Sequence, residues 1–105
     1  MKYRLRFHPE ALNEWNSLDK SIRIQFAKKL ENRLEDPLVK SSELRGELKG
    51  LYKIKLSSLG YRLVYRVEDL EFVVVVISVG RRDKSAVYLA AQQREKPRHV
   101  SDGVL

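Results

Sequence analysis

The sequence predicts an α+β fold: an antiparallel sheet of about four strands, two N-terminal helices packed on one face, and a short C-terminal helix. Three observations carry this. Residues 2–7 alternate strictly between apolar and basic side chains, and the runs 51–56, 61–67 and 71–79 have the apolar, β-branched character of strands. Between them, residues 9–35 repeat their apolar side chains at helical spacing. The three later strands are joined by short turns, so they meet as two consecutive hairpins. The 105 residues suffice for one packed domain and not for two, and with 43% hydrophobic residues the chain can bury a sizeable interior.

In chain order, the first strand places Tyr3, Leu5 and Phe7 on one side and Lys2, Arg4 and Arg6 on the other. Pro9 suits a first helical turn, after which Ala11, Leu12, Trp15 and Leu18 recur at helical spacing. Asp19 and Ser21 are candidate caps for a second helix, whose Ile22, Phe26, Leu30 and Leu34 fall every four residues. Its polar flank carries Arg23, Lys28, Lys29 and Arg33, and Asp36-Pro37 stops it. Turns are expected at 57–60 and near 68–70, and a closing helix at 85–94, capped by Asp83 with Val87, Ala90 and Ala91 inward. The domain is expected to span residues 1–94. Residues 95–105, with Pro97, Gly103 and no apolar period, read as a poorly ordered tail.

Composition removes several classes of function. There is no cysteine, which excludes a disulfide scaffold, a thiolate nucleophile and Cys-ligated metal sites. No apolar run approaches the roughly 18 residues of a membrane span, and the N-terminus lacks the apolar stretch of a signal peptide. A soluble cytoplasmic protein is expected. His8 and His99 are the only histidines, so the two-imidazole pair of common ribonucleases has no source. Glu68, Asp69 and Glu71 read as solvated turn carboxylates, no metal-ligand spacing occurs, and no cofactor is expected.

Charge is more informative. Twenty-one Lys and Arg against 14 Asp and Glu give +7, which favours polyanionic partners. The tail contributes two acids and two bases, so the excess belongs to the folded part. If 57–60 is a four-residue loop, Leu56 faces Tyr61, Lys55 faces Arg62, Ile54 faces Leu63, Lys53 faces Val64 and Tyr52 faces Tyr65. The apolar partners then share one face, and the other collects Lys53, Lys55, Arg62 and, further along, Arg66. Like charges opposed across strands destabilise a sheet by a few tenths to about 1 kcal/mol, so folding gains nothing from setting Lys55 against Arg62. A solvated outer face that blunts an edge strand is the plain alternative. Against it, no carboxylate occurs from Leu48 to Val67. A second cluster, Arg81-Arg82-Asp83-Lys84, follows the last strand, with Tyr88 soon after. Gly80 permits a sharp exit from the sheet that could bring Arg82 beside the first cluster, while Tyr88 reads equally as a half-buried packing residue.

Leu44-Arg45-Gly46, Tyr52-Lys53-Ile54-Lys55-Leu56, Gly60-Tyr61-Arg62-Leu63-Val64-Tyr65, Ile77-Ser78-Val79-Gly80-Arg81-Arg82 and Val87-Tyr88 stand in an order and spacing that closely resembles the RelE toxins of bacterial type II toxin–antitoxin systems. The resemblance extends to the front through Ala11-Leu12-Asn13-Glu14-Trp15 and Leu18, and covers about residues 1–94. It implies a microbial-ribonuclease-like fold and a ribosome-dependent endonuclease that cuts messenger RNA in the ribosomal A site. Carried over residue by residue, the catalytic set falls on Lys53, Lys55, Arg62, Arg82 and Tyr88. Arg45, Arg66, Arg81, Lys84, Lys28 and Lys29 would contact RNA or the ribosome. The implied partners are a RelB-like antitoxin and, through the complex of the two, operator DNA.

The chemistry expected of this set is attack by the ribose 2′-hydroxyl on the adjacent phosphorus, giving a 2′,3′-cyclic phosphate and a 5′-hydroxyl. Lys53 and Arg62 would neutralise the growing charge. Lys55 would take the 2′-hydroxyl proton, since neighbouring cations disfavour an ammonium. Arg82 would stabilise the leaving oxygen, and Tyr88 would stack on a base or orient the 2′-hydroxyl. Two other classes stay open: a ParE-like inhibitor of DNA gyrase, and a nucleic-acid-binding module without catalysis.

Overall fold

In the computed structural model, residues 2–95 are described, Lys84 by its backbone alone. The order is β1 (Arg4–Phe7), α1 (Pro9–Asn16), α2 (Lys20–Glu35), β2 (Leu51–Leu56), β3 (Tyr61–Glu68), β4 (Val73–Arg81) and α3 (Ala86–Arg94), with single 3-10 turns in the connections. The sheet order is β1-β4-β3-β2. β2, β3 and β4 form the expected antiparallel meander, but β1 lies parallel to β4, Arg4 opposite Val73 and Phe7 opposite Val76. The sheet is therefore mixed. Alternation along β1 set its faces and left its direction open, since both directions bury Tyr3 and Phe7 equally well.

The predicted hairpin register is the observed one, Leu56 opposite Tyr61 through Tyr52 opposite Tyr65. Gly60 makes the turn possible at φ 71°, in the left-handed region where a side chain is strained. Helices α1 and α2 cover one face. Ala11, Ile22, Phe26 and Leu30 pack there on Ile54, Leu56, Leu63, Tyr65, Val74 and Val76, a core in which each large side chain is worth about 1.5–3 kcal/mol.

The opposite face corrects the expectation that apolar partners share one side. Leu51, Val64, Val73, Val75 and Ile77 form a second core beneath Val87 and Ala91 of α3. β4 is thus buried on both faces from Val73 to Val79, which explains its apolar run from Val73 to Ile77. An irregularity in the β3–β4 ladder, where Val64 meets Ser78 but Tyr65 meets Val76, shifts the alternation by one residue. Ser78 is fully buried beneath α3 and donates its hydroxyl to the carbonyl of Val87 at 2.8 Å.

The helix ends are capped unevenly. His8 caps α1, its Nδ1 accepting from the amide of Glu10 at 3.1 Å. Asp19 holds the cap position of α2 without a side-chain bond. Ser85, not Asp83, holds that of α3. No helix among the described residues is long and apolar enough to cross a membrane. Of the expected tail, Glu95 lies within the described residues, its amide bonded to the carbonyl of Ala91 at 3.0 Å; residues 96–105 lie outside them.

Candidate active site

Three strands place one row across the end of the α3-side face: Lys55 opposite Arg62, and Arg62 opposite Gly80. The next row is Lys53, Val64, Ser78. Lys55 is exposed and Lys53 half-buried, while Arg62 is sunk to 8% exposure, with one Nη donating to the carbonyl of Tyr61 at 2.8 Å. Among the described residues, none of these three cations forms an ion pair. A buried guanidinium facing an ammonium without a carboxylate opposes stability and suits a phosphate, whose charge would compensate both.

The backbone of Arg82 belongs to the same end. The amide of Arg82 donates to the carbonyl of Gly60 at 2.9 Å, which ties the exit of β4 to the β2–β3 turn. Its side chain is exposed and makes no ion pair among the described residues. Tyr88, in the first turn of α3, packs half-buried against the second core, which is the packing role the sequence allowed for it.

The supporting basic residues divide. Arg66 shares the face, but Glu68 and Glu95 pair with it, the latter at 3.1 Å. Burial lowers its pKa and the bonds to these acids outweigh that, leaving it raised. Its expected place among the uncompensated cations is therefore corrected: one carboxylate stands two residues on in the same strand, just past the acid-free stretch, and the other arrives from the end of α3. Arg81 lies in register with Tyr61 on the opposite face, its guanidinium 5.5 Å from that ring and 3.3 Å from Asp83. Arg45 is exposed in a depression shared with Lys40, Lys49 and the carboxylate of Glu43. Lys28 borders an apolar groove with Leu5, Trp15 and Ile24, whereas Lys29, one residue on, faces the β2 edge.

Along that edge runs a polar trough of 520 Å³ that includes Lys29, Arg33, Ser42, Lys53 and Lys55, with no carboxylate in its lining. Arg33 reaches it from α2 and is bonded three ways: to the carbonyl of Lys53 at 3.2 Å, the hydroxyl of Tyr65 at 2.9 Å and Oγ of Ser42 at 3.0 Å. It continues the cover of the outer β2 edge begun by the Glu43–Tyr52 bridge and by the amide of Leu44, which donates to the carbonyl of Leu51 at 2.8 Å. Tyr65 is fully buried, stacks on Tyr52 at 5.5 Å and donates to the carbonyl of Pro37 at 2.7 Å.

Two residues outside the expected site shape it. Arg33 was legible only as a member of a basic helix flank, because its partners are a main-chain carbonyl and a buried phenol far away in sequence. Glu14 stands in the N-terminal stretch that carries the family resemblance, but nothing there marks its role. It accepts from the amide of Val79 at 3.1 Å and pairs with Arg94, closing the edge of β4 that β1 leaves bare. Among the described residues no group of three or more His, Asp or Glu side chains is gathered that could hold a metal ion.

The model of the family described as the ParE toxin of the type II toxin–antitoxin system parDE matches residues 5–86. The mRNA interferase toxin RelE of Escherichia coli is 50% identical over 94 residues, covering 90% of this chain and 98% of that protein. A mutant of E. coli toxin RelE in the free state superposes with a TM-score of 0.82 at 48% identity, over 90% of this chain and 99% of that one. The intact E. coli RelBE toxin–antitoxin complex matches at 0.73 and 49% identity, over 77% and 98% of the respective chains. The chain belongs to the RelE toxins of the RelE/ParE superfamily.

Proposed function

We propose that this chain is the toxin of a type II toxin–antitoxin pair, a metal-independent endoribonuclease that cuts messenger RNA in the ribosomal A site and so arrests translation. The observation that carries this reading is the uncompensated row of Lys53, Lys55 and Arg62 at the sheet end to which the amide of Arg82 is tied. The half-identical relative bearing the name mRNA interferase supports the reaction class.

In this reading the 2′-oxygen attacks phosphorus and its proton passes to the Nζ amine of Lys55. The bond from phosphorus to the 5′-oxygen breaks and that oxygen takes a proton from water, leaving a 2′,3′-cyclic phosphate and a 5′-hydroxyl. Arg62 and Lys53 hold the non-bridging oxygens, Arg82 the charge on the departing oxygen, and Tyr88 the base or the 2′-hydroxyl. The set lacks a good acid, because a guanidinium scarcely releases its proton. Positioning of the messenger by the ribosome therefore supplies much of the rate.

A small RelB-like antitoxin, acidic in its toxin-binding segment, covers the cationic surface, and the pair acts on its operator through the antitoxin. The RelBE complex is the supporting case. The site of action is the cytoplasm, where ribosomes translate.

Primer extension on translating ribosomes tests the reading, with Lys55→Ala and Arg82→Ala beside the parent chain. Cuts at the A-site codon by the parent, lost in both variants at equal ribosome occupancy, are expected. Unchanged cutting would remove these residues from the site. Inhibited supercoiling without cuts would favour gyrase as the target, and retention of RNA without cuts a binding module.

A further inference from the structure

Gly80 has no reason within this chain to be a glycine. Among the described glycines, Gly46, Gly50 and Gly60 have positive φ and Gly80 does not, so the backbone at Gly80 admits any L-residue, and the sharp exit expected of it is not what the position needs. A Cβ built there meets nothing within 4 Å. Glycine inside a strand weakens it relative to alanine, and where neither backbone nor packing demands it, close approach of a ligand is the remaining physical reason.

The surroundings say which ligand. Gly80 lies directly opposite Arg62, whose other neighbour is Lys55, so one row across three strands reads ammonium, guanidinium, gap. In the adjoining row α3 closes over the sheet, with Ser78 buried and bonded to Val87. The Gly80 row is left open beyond the start of that helix. At 8% exposure Arg62 cannot reach out to an anion, so the anion must come down to the sheet surface.

We infer that Gly80 is the floor of the substrate site, its missing side chain leaving room for the ribose-phosphate of an RNA strand to descend onto Arg62. This rests on the endoribonuclease reading and adds a residue that acts by its absence of atoms. Gly80 is a positioning residue, and bulk at this place raises the messenger above the cations.

The test compares Gly80→Ala and Gly80→Val with the parent in thermal unfolding, cleavage on translating ribosomes, and affinity for a single-stranded RNA oligonucleotide carrying one 2′-deoxy position. Expected are melting temperatures equal to or above the parent, cleavage reduced at least ten-fold in Ala and further in Val, and oligonucleotide affinity falling in the same order. Parent-like cleavage and affinity in both variants would overturn the inference. So would a lowered melting temperature in Gly80→Ala, which would make the glycine structural. Failure of the parent chain itself to cut would overturn the endoribonuclease reading instead, and the graded oligonucleotide affinity would still decide the role of Gly80.

Discussion

Glu14 of α1 and Arg94 of α3 meet in a two-bond ion pair, 2.9 and 2.7 Å, across the edge of β4. β1 accompanies β4 only as far as Val76, and beyond it the bare edge is satisfied by these side chains, Glu14 accepting from Val79 and Arg94 donating to the carbonyl of Ile77 at 2.8 Å. The pair fastens helices from opposite faces of the sheet, and α3 is the helix that holds Tyr88. Arg94→Met would leave a half-buried carboxylate unpaired and Ile77 without its donor. A loss of about 2 kcal/mol is expected in denaturant unfolding, below the 3–5 kcal/mol of a fully buried pair because Glu14 is partly exposed. Unchanged stability would show the clamp to be ornamental.

Arg33 braces the strand that carries Lys53 and Lys55. Three of its bonds go to the protein, so its part is to hold β2 in place, and a shift of about 1 Å in a catalytic group can cost 10²-fold in rate. Arg33→Ala is expected to lower stability by about 1–3 kcal/mol. Cleavage at saturating ribosome should fall while ribosome affinity stays within about three-fold. Arg33→Lys should restore little, since one ammonium cannot span the same acceptors. An affinity loss with an unchanged saturated rate would make Arg33 a phosphate ligand.

Tyr65 sets the alkaline limit of stability. Burial pushes its phenol up from the ordinary 10, against the hydrogen bond and charge of Arg33, which pull it down; Tyr52 is raised as well, first by burial. In the unfolded chain both phenols ionise near 10, while the folded protein keeps them protonated to higher pH. Their stabilisation is therefore complete below pH 10 and is lost as pH rises through the folded values. Unfolding free energy measured from pH 8 upward should decline above about 10, and more shallowly in Tyr65→Phe. A parallel decline in that variant would assign the effect elsewhere.

Arg66 and Lys53 lie on the same face and should respond differently to salt. With Arg66 already paired to Glu68 and Glu95, Arg66→Gln removes little net attraction for phosphate and, the pair being about a third exposed, costs under about 1 kcal/mol of stability. Lys53→Ala should reduce the slope of log affinity against log salt by about one phosphate contact. Equal slopes in the two variants would contradict the division of the face into paired and unpaired cations.

Much of this was legible in the sequence because the β2–β3 hairpin obeys simple parity. A four-residue loop and a period of two placed Lys55 against Arg62 without further information. The second core was hidden because β4 is apolar at every position from Val73 to Ile77, so alternation could not reveal that α3 covers its other face. The pairing of Arg66 was hidden for another reason. Glu68 stands two residues along the same strand, just outside the acid-free stretch, and Glu95 reaches Arg66 only through the closing helix. Arg33 and Glu14 bond to main-chain groups, which carry no sequence signature at all.

The chemistry of the cut ends tests the central claim most directly. Translating ribosomes would be loaded with a messenger bearing a single 2′-deoxy substitution at the mapped cleavage position, beside the all-ribose control. The control should yield a 2′,3′-cyclic phosphate and a 5′-hydroxyl, and the substituted messenger should stay intact at that bond. Cleavage of the deoxy linkage, or ends carrying a 3′-hydroxyl and a 5′-phosphate, would contradict a reaction driven by the ribose hydroxyl over a row of unpaired cations.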